Sequence, residues 1–337
     1  MISPSDLAEA AASLKYGELV AFPTETVYGL GANAYSDQAV LSIFKTKGRP
    51  SDNPLIVHVP DLESCLSFVE QPDPLVYKLA AAFWPGPLSI VLPIRADSGL
   101  SHLVTAGLQS VGVRVPNHPV ALSLLRMAGV PVAAPSANKS GSPSPTTAAH
   151  VRSDFPHVRV LDGGPCSVGL ESTVVKVHEG RIYILRPGGV TKIALEICSG
   201  ESAVEAFQTT AIERPEAPGM KYRHYAPKAS VHIFDGLEDL SRLLLVCQAA
   251  ALVIITFDDS VDDARRICSN AIILSLGCRV DLEEASRKIF GFLRACDDCN
   301  ASACFIDCGF DKIGLGSALW NRISKAAKGA SEGLVVQ

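Results

Sequence analysis

Cationic and hydroxyl side chains recur in five loop-like segments before residue 190. Lys47 and Arg49 supply a point charge and a planar guanidinium fork, and the other segments supply hydroxyls and backbone N–H groups. This combination of donors binds polyphosphates. Each segment alone is better explained as turn chemistry, whereas five in one region favour a binding site. The segments are PTETVYGLGANA (23–34), KTKGRPSDNP (45–54), APSANKSGSPSPT (134–146), DGGPCSVGLEST (162–173) and RPGG (186–189).

Buried strands and amphipathic helices must hold these segments in place. Apolar runs bounded by Gly, Pro and Ser predict strands, and the 3.6-residue period predicts helices. The strands are GELVAF, LIVHV, LSIVLP, VGVRV, VPVAA, VRVLDGG, STVVKV and RIYIL, and the helices lie near 4–15, 37–48, 74–83, 117–129 and 146–154. Open α/β sheets bind ligands where strand ends run into polar loops. The pattern predicts a mixed, twisted-sheet α/β domain over residues 1–200, with a site among these loops.

Strand and helix alternate more regularly in the last third of the chain. The predicted strands are VHIF, ALVIITF, AIILSL and CFID, and helices are predicted near 238–249, 261–268, 281–295 and 316–328. Regular alternation of this kind is typical of parallel sheets. We therefore predict a smaller doubly wound parallel α/β domain over residues 231–337.

Residues 201–230 form a predicted connector that ends in APGMKYRHYAPKA (217–229). Proline near both ends, and the lack of either regular period, indicate a loop. One interpretation is a solvated linker. The other is a lid that folds over the first domain when ligands are bound, because tyrosines and cations are concentrated there.

The composition indicates a globular protein of about two domains. Of the 337 residues, 47% are hydrophobic and 19% are charged. The net charge of −5 argues against a surface that binds nucleic acid as a whole, although it allows a local basic groove. The N-terminal MISPSDLAEA lacks signal-peptide features, and the most apolar run, 243–257, is too short to span a membrane. We expect a cytoplasmic protein without a membrane partner.

Ten cysteines are present, nine of them after residue 160. Cys296, Cys299, Cys304 and Cys308 are spaced superficially like a zinc site. The alternation of Cys304, Ile306 and Cys308 along a predicted strand favours reduced thiols packed in a core instead.

Familiar nucleotide and hydrolase motifs are absent from the sequence. It contains no GxxxxGK[ST] or HExxH motif, and GLGSAL (314–319) lacks the third glycine of a dinucleotide-binding loop. Any nucleotide site must therefore be built in another way.

Several longer motifs point to one family. They are PTETVYGLGANA, KGR at 47–49, DNPLIVHV, WPGPLS, VGVRVP, SAN within APSANKSGSPSPT, GLEST, LRPG and PGMKYRHYAP. The first domain resembles the YrdC family, and the whole chain is similar to the long, two-domain L-threonylcarbamoyladenylate synthases. The resemblance is dense over about residues 5–200, recurs in the connector and is loose in the second domain.

The resemblance implies an ATP-dependent reaction. Members of this family make threonylcarbamoyl-AMP from L-threonine, bicarbonate and ATP and release pyrophosphate. Other, downstream proteins then transfer the threonylcarbamoyl group to a tRNA adenosine next to the anticodon. Mg²⁺ is expected to arrive mainly on the nucleotide, with no metal site of the protein itself.

The resemblance also implies the residues of the site. ATP is expected to contact Arg49, Asn53, Ser110, Ser136, Asn138, Ser144, Arg186 and Tyr222. Threonine is expected to contact Thr26, His58, Arg114, Ala134 through its backbone, and Ser172. Lys47 and Arg49 are the expected catalytic residues, because a carbamate is already an anionic nucleophile and needs positioning and charge neutralisation. Taken without the resemblance, His58 is equally an ordinary strand histidine.

Two other functions remain open at this point. One is an RNA-binding protein that uses the concave face of the first domain, which the net charge of −5 and the lack of a basic run disfavour. The other is a carbamoyltransferase of the hydrogenase-maturation type, which would need zinc-finger and acylphosphatase-like domains for which this chain has no room.

Overall fold

The computed structural model describes residues 2–208, 224–247 and 249–327. The chain divides into two compact units, which consist of Met1–Ser140 with Ser144–Lys221 and of Gly141–Pro143 with Tyr222–Gln337. The domain limits expected from the sequence, at residues 200 and 230, stay a prediction because much of the connector lies outside the described residues.

The first unit contains ten strands and eight helices among its described residues. The strands are β1 Val20–Phe22, β2 Gly29–Asn33, β3 Ile56–His58, β4 Leu88–Pro93, β5 Ser110–Arg114, β6 Val132–Ala133, β7 Arg159–Val160, β8 Thr173–His178, β9 Arg181–Arg186 and β10 Val204–Glu205. The helices are α1 Pro4–Lys15, α2 Asp37–Lys47, α3 Leu62–Cys65, α4 Pro74–Phe83, α5 His102–Thr105, α6 Pro119–Ala128, α7 Ala148–Asp154 and α8 Lys192–Ser199.

The strands of the first unit form one mixed sheet in the order β10-β9-β8-β4-β5-β3-β6-β2-β1-β7. Strand β3 pairs with β5, and β4 with β8, in parallel, whereas β4–β5 and β1–β2 are antiparallel. The predicted mixed α/β fold of this part of the chain is therefore confirmed.

Local capping chemistry fixes the helix that ends at the KGR motif. The Ser36 side chain accepts a hydrogen bond from the Ala39 N–H at the start of α2, and Gly48 ends the helix with a φ of 62°. A left-handed residue at this position is adopted most easily by glycine. Gly48 therefore sets the turn that separates Lys47 from Arg49.

The two faces of the sheet differ in chemistry. Side chains alternate between faces along a strand, so Val111 and Val113 lie on one face of β5 and Ser110, Gly112 and Arg114 on the other. Both valines belong to the largest apolar core of the unit. The opposite face, which we call the polar face, carries a small apolar cluster and the charged and hydroxyl side chains described below. That cluster consists of Ile56, Val91, Val174 and Leu185.

One segment that we expected to be a loop is partly a strand. Residues 29–33 of PTETVYGLGANA form β2, paired with β1. A Cβ atom at Gly31 would lie 2.9 Å from both Phe22 and Val132, so this position requires glycine for close packing. Glycine has a low strand propensity, so a search for runs of apolar residues did not predict this strand. Three short helices, α3, α5 and α8, and strand β10 within the predicted connector also escaped prediction.

The second unit is a four-stranded, fully parallel sheet with helices between its strands. Its order is β11-β14-β12-β13, and every pair is parallel. The predicted doubly wound architecture is confirmed. The strands are β11 Ser230–Phe234, β12 Leu252–Thr256, β13 Ile272–Ser275 and β14 Ala303–Asp307, and the helices are α9 Leu237–Val246, α10 Val261–Ile267, α11 Leu282–Asp298 and α12 Leu315–Ala327.

A charged network lies at the carboxyl ends of β12 and β14. Arg279 Nη2 lies 2.7 Å from Asp259 Oδ1 and 3.0 Å from Asp307 Oδ2, and Nη1 donates to the Gly309 carbonyl at 2.9 Å. The Thr256 hydroxyl donates to Asp307 Oδ2 at 2.8 Å. These polar groups therefore bond to one another across the sheet edge.

All ten cysteines are free thiols. Cys296, Cys304 and Cys308 are buried and Cys299 is exposed. Burial and the neighbouring Asp307 raise the pKa of the Cys308 thiol. In the described ranges, no group of three His, Cys, Asp or Glu side chains is placed to hold a metal ion. No helix in the described part of the chain is long and apolar enough to cross a bilayer.

Candidate active site

Strands β3 and β5 place two of the expected threonine ligands side by side. In the parallel register His58 lies opposite Arg114, at the carboxyl ends of both strands. Ser110 begins β5, four residues and roughly 13 Å from Arg114. Extending the same register by two residues places Pro54 opposite Ser110. His58 and Arg114, expected to bind threonine, and Ser110, expected to bind ATP, therefore lie at opposite ends of these two strands.

Arg114 is held by a carboxylate that sequence reasoning missed. Arg114 Nη2 lies 2.7 Å from Glu25 Oε1, and the exposed fractions of the two side chains are 5% and 6%. Arg114 Nε donates to the Gly86 carbonyl at 3.2 Å. A lone glutamate between two threonines in an apolar loop was the available signal, because a buried carboxylate needs a partner.

His58 is neutral in the folded protein. Burial lowers its pKa to about 3, and the positive charge of Arg114 acts in the same direction. The ring packs edge-on against Phe22, with 5.9 Å between the ring centroids. At neutral pH, Arg114 is therefore the positively charged residue at the ends of β3 and β5, and His58 is an uncharged polar group.

Thr26 and Ala134 lie in buried loop positions. The hydroxyls of Thr24 and Thr26 are 2.9 Å apart, and Thr24 also donates to the Val27 carbonyl at 2.6 Å. The Ala134 N–H donates to the Ile56 carbonyl at 2.9 Å. A ligand that uses the Ala134 backbone must therefore use its carbonyl group.

Ser172 and Arg186 lie together where β8 begins and the antiparallel β9 ends. Arg186 Nη2 donates to the Ser172 carbonyl at 2.9 Å and to its hydroxyl at 3.2 Å. The Ser172 hydroxyl also lies 2.8 Å from that of Ser89. A Cβ atom at Gly188 would lie 2.3 Å from the Glu171 carbonyl oxygen, so the RPGG turn rests directly on the GLEST backbone. An expected ATP ligand and an expected threonine ligand are thus in contact.

Lys47 organises the SAN segment. Its ammonium group donates to the Ser136 carbonyl at 2.5 Å and also to the Asn138 carbonyl. Within the segment, the Ser136 hydroxyl donates to Asn138 Oδ1 at 2.5 Å. Lys47 is only 4% exposed. The structure therefore brings the KGR and SAN motifs together through one buried ammonium group.

Arg49 shapes the DNP turn in a similar way. Its Nη2 donates to the Pro54 carbonyl at 3.1 Å and to the Asn53 carbonyl at 3.3 Å. Asn53 is 2% exposed, and its Oδ1 has no hydrogen-bond partner among the described residues. Leaving a buried hydrogen-bond acceptor without a donor costs free energy of folding. Asn53 Oδ1 is therefore a candidate acceptor for a hydrogen bond from a ligand.

The last two expected ATP ligands are placed differently. The buried Ser144 hydroxyl donates to Glu171 Oε1 at 2.5 Å, a second carboxylate that sequence reasoning missed. Tyr222 lies outside the described residues. Its neighbour Tyr225 packs within the second unit, with its ring centroid 5.3 Å from that of Phe290. The lid hypothesis for 217–229 stays a prediction.

Two family models match the chain. Residues 12–188 match the Sua5/YciO/YrdC model, which carries the description "Telomere recombination". Residues 190–328 match the model described as "Threonylcarbamoyl-AMP synthase, C-terminal domain". The chain therefore belongs to the Sua5/YciO/YrdC family.

Named relatives match nearly the full length. The chain is 43% identical to the threonylcarbamoyl-AMP synthase of Bacillus subtilis (strain 168), over 96% of this chain and 93% of the relative. It is 40% identical to the threonylcarbamoyl-AMP synthase of Pyrococcus abyssi, over 94% and 93% respectively. The crystal structure of P. abyssi Sua5 complexed with L-threonine is similar with a TM-score of 0.87 and 37% identity, and the match covers 98% of this chain and 96% of that one.

Proposed function

We propose that this protein synthesises L-threonylcarbamoyl-AMP from L-threonine, bicarbonate and ATP and releases pyrophosphate, as an enzyme of the nucleotidyltransferase class. One observation carries the proposal, namely the similarity of both units to threonylcarbamoyl-AMP synthases over almost the whole chain. These relatives are enzymes, and so is this chain. The polar face of the first sheet is the proposed active site.

The Arg114 end of the polar face would bind threonine. Nε and Nη2 of Arg114 are engaged by the Gly86 carbonyl and Glu25, and no described residue accepts a hydrogen bond from Nη1. The end of a guanidinium group matches a carboxylate in a bidentate pair. Thr26, Ser172, the Ala134 carbonyl and neutral His58 would then surround the remaining polar atoms of the amino acid.

The other end of the two strands would bind ATP. Asn53 offers a buried acceptor one residue before Pro54, which lies opposite Ser110, and Arg49 holds the turn that carries it. Lys47 and Arg186 place positive charge beside the SAN and GLEST segments. We propose that these cations offset the charge that builds up on the phosphates during the reaction. Ser136, Asn138, Ser144 and Tyr222 complete the proposed ATP ligands.

The proposed chemical step is an in-line substitution at phosphorus. The amine of threonine and bicarbonate give a carbamate and water. A carbamate oxygen then forms a bond to the α-phosphorus of ATP while the bond from that phosphorus to the pyrophosphate oxygen breaks. The nucleophile is already anionic, so the site must supply positioning and charge stabilisation rather than a base for this step.

Mg²⁺ is proposed to enter on the triphosphate. The described residues offer no grouped carboxylates, histidines or cysteines that would hold a resident ion. Magnesium ions commonly bind substrate phosphates with few protein ligands and would neutralise phosphate charge here.

The product is an activated carbamoyl donor for a further step. We propose that other proteins transfer it in the cytoplasm to a tRNA adenosine next to the anticodon. Direct contact between this chain and tRNA remains an expectation from the resemblance. No observation in the structure or among the relatives favours RNA binding as the main role.

One assay tests the proposal. Purified protein is incubated with ATP and Mg²⁺, and pyrophosphate release is followed with threonine and bicarbonate both present or singly omitted. We expect release only with all substrates, together with a product of the mass of threonylcarbamoyl-AMP. Release that is independent of threonine, or none at all, would contradict the proposal.

A further inference from the structure

Glu25 joins three loops of the first unit. Its Oε1 lies 2.7 Å from Arg114 Nη2, and its Oε2 accepts a hydrogen bond from the Asn117 N–H at 3.0 Å. Its backbone carbonyl accepts one from the Val168 N–H at 2.8 Å. The β1–β2 loop, the loop after β5 and the glycine-rich loop before β8 therefore meet at one residue. These are the segments that carry or flank Thr26, Arg114 and Ser172.

The ion pair between Glu25 and Arg114 is expected to add little to the free energy of unfolding. Both side chains are almost completely buried, and burying two charges costs about as much as their attraction returns. Apolar residues of similar size would often serve stability equally well. A buried pair at this position therefore suggests a role in binding.

The pair fixes the orientation of the guanidinium group. Nε donates a hydrogen bond to the Gly86 carbonyl, and Glu25 Oε1 lies 2.7 Å from Nη2 in an ion-pair contact that is not a hydrogen bond. One side of the planar group is therefore held by the protein. Each terminal nitrogen carries two hydrogens, and neither Nη1 nor Nη2 forms a hydrogen bond with a described residue, so both can donate to a ligand carboxylate. A long arginine side chain would otherwise have to be ordered by the ligand itself.

The pair also sets the charge of the pocket. His58 beside it is uncharged at neutral pH, so Glu25 and Arg114 together contribute no net charge. A zwitterionic amino acid adds none either, whereas an anion without an amine leaves one uncompensated negative charge in a buried site. The Glu25–Arg114 end of the pocket is therefore electrostatically matched to an amino acid rather than to a simple carboxylate.

We propose that Glu25 is a positioning and specificity-determining residue of the threonine site, which holds Arg114 in place and makes the pocket select a zwitterion. This inference rests on the proposed function. It assigns no proton transfer to Glu25. The probe that separates it from a merely structural role is (R)-3-hydroxybutyrate, which is threonine without the amine.

The test compares Glu25→Gln with the wild-type protein. The amide keeps the shape of the carboxylate but removes its charge. We expect the KM for threonine to rise roughly tenfold, with the KM for ATP unchanged, because a ligand contact in the pocket is misplaced. We expect (R)-3-hydroxybutyrate, a weak competitor of the wild-type protein, to bind about tenfold tighter, because its negative charge is then compensated by Arg114 alone.

Two further variants serve as controls. Glu25→Asp keeps the charge but shortens the reach, so it should raise the KM for threonine and retain the discrimination against the competitor. Glu9→Gln removes the charge of a surface glutamate that lies 3.2 Å from Arg159, and it should change neither constant. Binding of threonine and of (R)-3-hydroxybutyrate is also measured by calorimetry without ATP, so that the result does not depend on turnover.

The outcomes separate this inference from the proposed function. If the wild-type protein makes product but Glu25→Gln leaves the ratio of threonine to competitor binding unchanged, Glu25 does not determine specificity. An equal loss of threonine, ATP and competitor binding with a lower melting temperature would likewise reduce Glu25 to a structural role. Absence of threonine-dependent pyrophosphate release in the wild-type protein would overturn the proposed function instead, while calorimetry still measures the charge preference.

Discussion

Each unit of this protein contains an arginine paired with a buried carboxylate, and the two arginines differ in how fully they are bonded. Arg279 in the second unit uses all three of its nitrogens: Nε donates to Asp259, and Nη1 and Nη2 bond to Asp307, Gly309 and Ser260. Among the described residues, Arg114 in the first unit forms a hydrogen bond through Nε only, and its Nη2 makes an ion-pair contact with Glu25. We interpret the fully bonded guanidinium group of Arg279 as a structural clamp, and we propose that Arg114, which has an unused end, binds a ligand.

The position of the two arginines in the fold does not show which of them is structural and which is available to a ligand. The Arg279 network lies at the carboxyl ends of parallel strands, which is where doubly wound sheets bind ligands. The Phe257 ring also lies 4.6 Å from the guanidinium carbon. Because these polar groups bond one another, the strand ends of the second unit are closed by their own side chains. The number of unused donors distinguishes the two regions better than location does.

The largest expected effect is the loss of catalysis in Arg114→Ala. Deleting a preorganised charge that binds the substrate should lower threonine-dependent pyrophosphate release by about a hundredfold or more. Arg114→Lys should restore little, because the fork is lost. Because the substitution also leaves the buried Glu25 unpaired, the rate is measured at saturating ATP and well below the melting temperature of the variant, with circular dichroism as the control for folding. Near-normal turnover in the alanine variant would remove Arg114 from the site and abolish the contrast with Arg279.

Arg279→Leu should show the opposite pattern. Its loss leaves Asp307, which is 1% exposed, as an uncompensated buried charge. We expect the free energy of unfolding to fall by roughly 3 kcal/mol. Threonine and ATP constants measured well below the melting temperature should stay close to those of the wild-type protein. Denaturant unfolding followed alongside the assay checks both statements, and a lower affinity for substrates without loss of stability would contradict them.

Substrate choice gives a smaller effect at the Arg114 site. Serine keeps the carboxylate, amine and hydroxyl of threonine and lacks only the methyl group. Losing one methyl contact in a pocket should raise the activation free energy by about 1–3 kcal/mol, and kcat/KM for serine should fall accordingly. Competition between the two amino acids in the pyrophosphate assay measures the ratio. Equal rates would show that the pocket does not contact the methyl group.

The effect of His58 on stability is the smallest near neutral pH and grows as the pH is lowered. The pKa of His58 is about 3 in the folded protein, against about 6.5 for an unperturbed histidine. Between these values the unfolded chain binds a proton that the folded chain does not. Stability should therefore fall as the pH is lowered from about 6.5 towards 3, by up to about 1.4 kcal/mol per pH unit from this residue.

A histidine of the second unit supplies the comparison for this last prediction. His58→Gln should flatten the dependence of stability on pH below 6.5. His232 is stacked on Phe305, and burial lowers its pKa as well, although it is less deeply buried. His232→Gln should therefore flatten the curve less. A steeper change in the His232 variant would show that another group dominates the acid sensitivity.

Regular periodicity made most of the fold predictable. In the second unit, the apolar pattern predicts both strands and helices closely. All residues of strand Leu252–Thr256 are buried, and helix Leu282–Asp298 buries one face, so each gives a clear periodic signal. Strand β2 escaped because Gly29 and Gly31 are chosen for close packing rather than for strand propensity. Helices α3 and α5 escaped because four residues, about one turn, are too few to show a period, and α8, with eight residues, shows little more than two turns.

The residues expected in the site stay a prediction, and the contacts among them could not be predicted from the sequence. Ordered motifs marked Lys47, Arg114 and Ser172, but nothing in their spacing showed which group bonds to which. Glu25 lies 89 positions before Arg114 and meets it only because the β1–β2 loop folds back onto the polar face. Lys47, expected to face phosphate, donates to two backbone carbonyls of the SAN segment instead of standing alone. Contacts of this range depend on tertiary structure.

The close approach of Gly188 to the GLEST backbone limits how this site can be re-engineered. No side chain fits between the RPGG turn and residues 171–173, so the two stretches cannot be shifted independently by inserting or lengthening a loop. A change of amino-acid substrate must therefore come from exchanging side chains around an unaltered backbone. Libraries aimed at a new substrate should diversify the pocket lining and leave glycine at position 188.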